Sequence, residues 1–196
     1  MPLSIFAVIA LLLAGSAFFS ASETALTAVS RGRMHQMEKD GSVAAANVNR
    51  LVANREQMIG AVLLANTFIN ILASSLATSA LEEHLGPRAV AVTTAGMTAI
   101  ILVFAEVMPK TLAIARTDRV ALAVALPLRA VVAVLAPIVA AVQWLVWRLL
   151  WLFGVTPRQG ESTEAAREEI RGSIELHHRE GTVEREHRDM IGAVLD

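Results

Sequence analysis

The chain has 196 residues, a formal net charge of -1 at pH 7 and a hydrophobic content of 55%. It contains no cysteine, which excludes disulfides, thiolate metal sites and cysteine nucleophiles. Nothing in it resembles a nucleic-acid-binding surface. The apolar residues are concentrated in runs of about 20 residues, the length that crosses the hydrocarbon core of a bilayer. The sequence therefore predicts an all-α integral membrane protein.

The first apolar run covers residues 3–29 and predicts a transmembrane helix. It lacks the basic start and the clear cleavage site of a signal peptide, so we expect this span to be retained. A basic stretch begins at Arg31. Residues 42–55, which follow it, predict a short helix or a helical hairpin on the cytoplasmic side.

Residues 58–81 and 89–108 predict the second and third spans, and we expect Pro109 to close the third. The link between these two spans carries Arg88 as its single Lys or Arg residue. The link after the first span is richer in basic residues: Arg31, Arg33, Lys39, Arg50 and Arg55. Because Lys and Arg are enriched in cytoplasmic loops, we expect the N-terminus outside and the first link in the cytoplasm.

The segment 120–153 allows two interpretations. It is apolar and long enough to cross, but Pro127 and Pro137 interrupt it, and Arg129 and Arg148 lie within it. A proline removes a hydrogen bond from a helix interior, so we favour short re-entrant or juxtamembrane belt helices over a further crossing. The charged tail then stays in the cytoplasm. A helical stripe of tryptophans suits either the headgroup level or a buried contact between helices: Trp144, Trp147 and Trp151.

The tail, residues 161–196, is highly charged and predicts a cytosolic helical linker, with a helix stop at Gly181 and a new start at Thr182. Its histidines lack helical ligand spacing and are expected to be solvated: His177, His178 and His187. The predicted organisation is a transmembrane core at 1–119, juxtamembrane belt helices at 120–160 and the linker at 161–196.

Polar side chains follow one helical face of the first two predicted spans. These are Ser16, Ser20 and Glu23 in the first span, and Asn66, Asn70 and Ser74 in the second. The third span carries Glu106. At a rise of 1.5 Å per residue, Ser20 and Asn66 both lie roughly 12–13 Å from the cytoplasmic ends of their helices. Since polar groups inside a membrane need a partner or a function, we expect these oxygens to converge.

Pro109 leaves a further backbone oxygen, the carbonyl of Ala105, free to join this group. It has no N–H to donate to the carbonyl of Ala105, which stands next to Glu106. One carboxylate among hydroxyl, amide and carbonyl oxygens, without sulfur or convergent histidine, suits a hard cation. Mg²⁺, Ca²⁺ and Na⁺ all qualify on ligand type.

The same residues also have structural interpretations. The serines can be small contacts that let helices approach closely, and the two asparagines can bond across helices. Glu23 can pair with Arg31 or Arg33, and Glu106 with Lys110 at i+4. No Walker loop, HExxH or nucleophile-elbow motif occurs, so we expect no enzymatic activity.

Four strings resemble, in order, the transmembrane domain of the CorC/CNNM family of Mg²⁺ transporters. They are FFSASETALTAVSR at residues 18–31, LLANTFINILASSLAT at 63–78, VFAEVMPKTLA at 103–113 and EEIRGSIELHHREGTVEREHRDMIGAVLD at 168–196. The resemblance covers nearly the whole chain. It implies a homodimer with three spans per subunit and a cytoplasm-facing belt, as a multi-pass protein of the plasma (inner) membrane with a cytoplasmic C-terminus.

The resemblance also implies a dehydrated Mg²⁺ held among the three spans. The matching positions are Ser20, Asn66, Asn70 and Glu106 with the backbone around Ala105 and Glu106, and the secondary candidates are Ser16, Glu23 and Ser74. Some relatives have glycine where Ala21 and Ala105 stand, which leaves the carbonyl ligands open. The linker is expected to lead to a CBS pair, the domain in which family members bind ATP and which lies outside this sequence.

The expected function is therefore Mg²⁺ transport across the membrane. One alternative is a Na⁺-coupled or Na⁺-selective transporter built on the same site. The other is a membrane sensor or scaffold that binds ions without moving them and anchors a cytosolic domain.

Overall fold

The computed structural model describes residues 2–153, and within that range every regular element is helical. The elements are α1 (Pro2–Ala28), α2 (Arg31–Lys39), α3 (Val43–Ala53), α4 (Arg55–Leu85), a 3₁₀ turn (Gly86–Arg88), α5 (Ala89–Ile100), a π-helical segment (Ile101–Val107), α6 (Met108–Ala115) and α7 (Thr117–Leu152). The chain forms two compact units, Met1–Leu145 and Val146–Asp196. Of the second unit, only the end of α7 and Phe153 lie in the described range.

Three apolar helical runs are long enough to cross a membrane: Ser4–Ala28, Arg55–Ala115 and Thr117–Leu152. The second run folds back on itself at Gly86, whose φ of 53° lies in the left-handed region that glycine adopts most readily. Helices α4 and α5 therefore pack side by side, and α1 packs against α4, the π-helical segment and α6. The first three predicted spans are confirmed as one helical bundle.

Pro109 does not close the third span as the sequence predicts. The π-helical segment precedes it, and the N–H of Met108 donates to the carbonyl of Val103, five residues back. Pro109 then stands at the start of α6, where a missing N–H costs little, so the helix continues to Ala115.

The predicted cytoplasmic link is a helical hairpin that begins earlier than expected, because the basic stretch itself forms α2. Helices α2 and α3 pack together across a turn at Gly41, whose φ is 93°. The hydroxyl of Ser42 accepts a hydrogen bond from the N–H of Ala45 at 3.3 Å and caps α3. Met34 and Val48 are buried, so the hairpin is packed against the bundle.

Residues 117–152 differ from the short helices that the prolines predict, because α7 is one continuous helix. Pro127 and Pro137 both lie on its exposed face. The opposite face is buried and carries Ala121, Ala125, Leu128, Val132 and Val139. Packing of that face outweighs the local cost of each proline, as it does in many membrane helices.

The contacts of α7 indicate how it runs past the bundle. Arg33 of α2 forms an ion pair with Asp118, and Arg129 donates to the side-chain oxygen of buried Asn47 at 2.9 Å. Gly60, in the second turn of α4, lies against Val139. From Asp118 to Val139 the helix covers about 32 Å, enough to cross the hydrocarbon core.

All three partners nevertheless belong to the same end of the bundle, the end that carries the α2–α3 hairpin. A helix that crossed beside α4 would reach the opposite end by Val139. The contacts therefore favour a course for residues 118–139 along one end of the bundle, which is the juxtamembrane interpretation. The tryptophans Trp144, Trp147 and Trp151 are exposed, and their place at the headgroup level stays a prediction.

Gly60 allows the close approach of α4 and α7. A Cβ at this position would lie 2.8 Å from Cγ1 of Val139, a β-branched side chain with little χ1 freedom. We expect Gly60→Ala to lower the free energy of unfolding by about 1–3 kcal/mol. Thermal unfolding in detergent measures this, and the second change Val139→Ala should restore most of the loss. A Gly60→Ala protein as stable as the wild type would contradict the close contact.

The predictions for the linker at 161–196, including the helix stop at Gly181, the start at Thr182 and the solvated His177, His178 and His187, lie outside the described residues.

Candidate cation site

The bundle has two separate apolar clusters. The basal cluster, at the end with the α2–α3 hairpin, includes Leu26, Met34, Val48, Met58 and Leu128. The distal cluster, towards the other end, has as its buried members Ile9, Ala73, Ala77 and Met97. Along their helices, Ser16 of α1 and Asn66 and Asn70 of α4 lie between the buried members of the two clusters. Together with Ser20, one turn beyond Ser16, and Glu106 they form what we call the polar layer. This polar layer is where the candidate site lies.

The first contact in the layer joins α1 to α4. The hydroxyl of Ser16 donates to the side-chain oxygen of Asn66 at 2.6 Å, and Ser16 is fully buried. Asn66 is a predicted site residue and Ser16 a secondary candidate, and their bond shows that the two polar stripes face each other. It is also the bond across helices that the structural interpretation of the asparagines expects.

The second contact joins α1 to the π-helical segment. The hydroxyl of Ser20 donates to the backbone carbonyl of Glu106 at 3.4 Å, and Ser20 is buried. A π-helical turn is wider than an α-helical one and often occurs at functional sites. The sequence predicts an exposed carbonyl at Ala105; the carbonyl that the structure brings to Ser20 is that of Glu106, one residue later. Ala105 itself is buried against the bundle.

Asn70 lies one turn beyond Asn66 on α4. Its side-chain oxygen is buried and has no hydrogen-bond partner within the described residues. Leaving such an acceptor unpaired costs about 1–3 kcal/mol, more than a typical hydrogen bond contributes. A buried acceptor without a partner, one turn from the Asn66 oxygen that Ser16 contacts, is suited to a cation.

Of the two glutamates near the layer, one forms an ion pair and the other does not. Lys110 forms an ion pair with Glu23 at 3.6 Å, and neither alternative pairing, Glu23 with Arg31 or Arg33 and Glu106 with Lys110, is found among the described residues. Glu106 forms no ion pair within residues 2–153. Its carboxylate therefore remains available, whereas that of Glu23 is partly neutralised.

No group of three or more Asp, Glu and His side chains in the described part of the chain is placed to hold a metal ion. A cation in the polar layer would therefore be held mainly by neutral oxygens around one carboxylate. Ser74 is half-buried on α4, and its backbone carbonyl accepts from Thr78 at 2.9 Å. No described contact joins Ser74 to the layer.

Thr93 of α5 is a residue that the sequence reasoning missed. It is buried, and its hydroxyl oxygen has no hydrogen-bond partner among the described residues. A spacing of four places it on the same helical face as Met97, which is also buried. The sequence did not single it out, because α5 also carries Thr94 and Thr98.

The Ser16–Asn66 bond predicts a stability effect. Asn66→Leu removes the acceptor and leaves the fully buried Ser16 hydroxyl without it, so we expect the protein to lose about 1–3 kcal/mol of stability. Thermal unfolding in detergent measures the loss. The double variant Ser16→Ala with Asn66→Leu should recover part of it, because no orphaned hydroxyl remains. Equal losses in the single and double variants would contradict this account.

A family model described as the cyclin M transmembrane N-terminal domain matches residues 7–187. The chain belongs to the CNNM family. The UPF0053 inner membrane protein YfjD of Escherichia coli K12 is 32% identical over 181 residues, which are 92% of this chain and 42% of that protein. A UPF0053 protein of Synechocystis is 28% identical over 193 residues, covering 98% of this chain and 54% of the relative.

A chloroplastic DUF21 domain-containing protein of Arabidopsis thaliana is also similar, with 28% identity over 190 residues and 28% of its own length covered. This CNNM chain thus spans about half or less of the curated relatives it matches. The family and the apolar helices together establish a multi-pass membrane protein.

Proposed function

We propose that this CNNM chain transports Mg²⁺ through the polar layer. The observation that carries the proposal is the buried, unpartnered side-chain oxygen of Asn70, in a layer where Ser20 already touches the Glu106 carbonyl. Two contacts one turn apart on α1 support the proposal, since Ser16 bonds the Asn66 oxygen of α4 and Ser20 bonds the Glu106 carbonyl of the π-helical segment.

The donor set favours a hard cation. Mg²⁺ takes oxygen ligands in near-octahedral geometry and gives up water reluctantly. The layer offers hydroxyl, amide and carbonyl oxygens to replace that water, and Glu106 supplies a negative charge. The chain has no cysteine to supply a thiolate ligand. Among residues 2–153, no cluster of histidines is placed to hold a metal ion. These features support Mg²⁺ over a transition metal.

Transport needs a route past each apolar cluster in turn. The buried part of the distal cluster is small: two alanines of α4 face Met97 and Ile9. Because alanines let helices approach closely and methionine is flexible, a modest shift of α4 against α5 would open that end. The unpartnered hydroxyl of Thr93 lies one turn from Met97 and offers a further oxygen on that side.

The assembly and orientation form part of the same proposal. We take the protein to be a homodimer in the inner membrane, with its N-terminus outside and the α2–α3 end in the cytoplasm. The basic residues of the α2–α3 link support this orientation through the positive-inside rule. In the whole protein, a CBS pair that binds ATP would follow the linker and act on this end of the bundle.

Two measurements on the full chain test the proposal. Isothermal titration of Mg²⁺ in detergent asks whether ions bind, and Mg²⁺ flux into proteoliposomes that contain a Mg²⁺-sensitive dye asks whether they move. We expect saturable binding and protein-dependent flux. Binding without flux would favour the sensor or scaffold, and loss of Mg²⁺ binding under Na⁺ competition would favour the Na⁺ alternative.

A further inference from the structure

An open cavity of about 540 Å³ lies where two helices end and two begin. Its walls come from the end of α1, the start of α2, the end of α6 and the start of α7. The residues that matter here are Ala28, Arg33, Ile114, Arg116, Asp118 and Arg119. This cavity is separate from the polar layer, and the inference drawn from it does not depend on transport.

The cavity has an excess of positive charge. Three arginines against one aspartate leave two positive charges uncompensated among the lining residues. Arg33 is already held by Asp118. Arg116 and Arg119 are exposed, and neither forms an ion pair within residues 2–153. The start of α7 adds the positive end of a helix dipole.

The position of the cavity restricts the ligand. Helices α1 and α6 both belong to membrane-spanning runs and end at Ala28 and Ala115, so the cavity lies at the headgroup level of one leaflet. Immediately before it, Leu112 and Ile114 of α6 are exposed apolar side chains. A charged head in the cavity would thus have an apolar surface beside it for a chain.

We propose that this cavity binds the headgroup phosphate of an anionic phospholipid, with an acyl chain along the exposed face of α6. Arg116 and Arg119 bind the phosphate, since guanidinium groups pair with phosphate through two parallel hydrogen bonds. A soluble phosphate shares the headgroup chemistry but leaves Leu112 and Ile114 without a partner, and for that reason the lipid is favoured.

Native mass spectrometry of the full chain in detergent, titrated with phosphatidylglycerol or phosphatidylcholine, tests this. We expect wild type to retain phosphatidylglycerol selectively, and Arg116→Gln with Arg119→Gln to weaken that binding by about 30-fold. The matched control is Arg50→Gln with Arg55→Gln, which removes the same charge from the same end of the bundle outside the cavity. It should bind as wild type does.

Three results would overturn the proposal. Equal retention of both lipids by wild type, which needs no variant, would remove the preference for an anionic head. Equal losses in the two double variants would indicate general surface charge instead of a site. Displacement of phosphatidylglycerol by inorganic phosphate at matched concentration would assign the cavity to a soluble phosphate. A melting temperature measured without lipid confirms that each variant is folded.

Discussion

Replacing Glu106 with glutamine is expected to weaken Mg²⁺ binding by about 100-fold or more. Loss of a residue that only hydrogen-bonds a metal ligand already costs about 10- to 100-fold, and a charged ligand should cost at least as much. Glutamine keeps the size of the side chain and one acceptor oxygen but removes the negative charge. Glu106 has no ion-pair partner in the described range, so its charge is not compensated by the protein. Isothermal titration of the purified variant measures the effect.

Glu23→Gln is the matched control for this experiment. Glu23 is also a glutamate of the transmembrane bundle, but its carboxylate lies 3.6 Å from the ammonium of Lys110. We expect this change to leave Mg²⁺ affinity within about threefold, the range of a partly exposed charge some distance from the ion. Equal losses at Glu106 and Glu23 would indicate a general electrostatic effect and would remove Glu106 from the site.

The sequence predicted the spans well because their length and apolarity depend on the bilayer alone. It also predicted that the polar faces of α1 and α4 converge, since helical spacing determines which side chains share a face. It set Ser20 at the depth of Asn66, whereas the structure pairs Asn66 with Ser16, one turn earlier. It failed at Pro109, where local rules end a helix but a π-helical segment carries the chain onward. Of the two backbone positions that the resemblance implies, Ala105 and Glu106, the structure shows Ser20 in contact with the carbonyl of Glu106.

The partners in the two ion pairs were also not identified from the sequence. Sequence proximity suggested partners for Glu23 on the following link, but the structure pairs it with Lys110 of α6. Likewise, Arg33 reaches Asp118 of α7. Such pairs depend on which helices pack together, and a single sequence carries little information about that. The sequence also did not predict that α7 is continuous, because packing of its buried face against other helices outweighs the local effect of two prolines.

Asn70→Leu is expected to separate binding from stability. The side-chain oxygen of Asn70 is buried without a partner in the described residues, so leucine, which has a similar shape, removes an unpaired acceptor. Replacing an unsatisfied polar group with an apolar one of the same shape is nearly neutral or stabilising. We expect an unchanged or higher melting temperature together with a loss of Mg²⁺ affinity of about 10- to 100-fold.

The contrast with Asn66 makes this test specific. Asn66 accepts the Ser16 hydroxyl at 2.6 Å, so Asn66→Leu should lower the melting temperature, whereas Asn70→Leu should not. Asn70→Asp keeps an oxygen at the same place and should retain Mg²⁺ binding. If Asn70→Leu instead unfolds at a lower temperature and binds Mg²⁺ as wild type does, Asn70 is a packing residue. The polar layer would then have lost the observation on which transport is proposed, and the Glu106 carboxylate alone would remain there without a described partner.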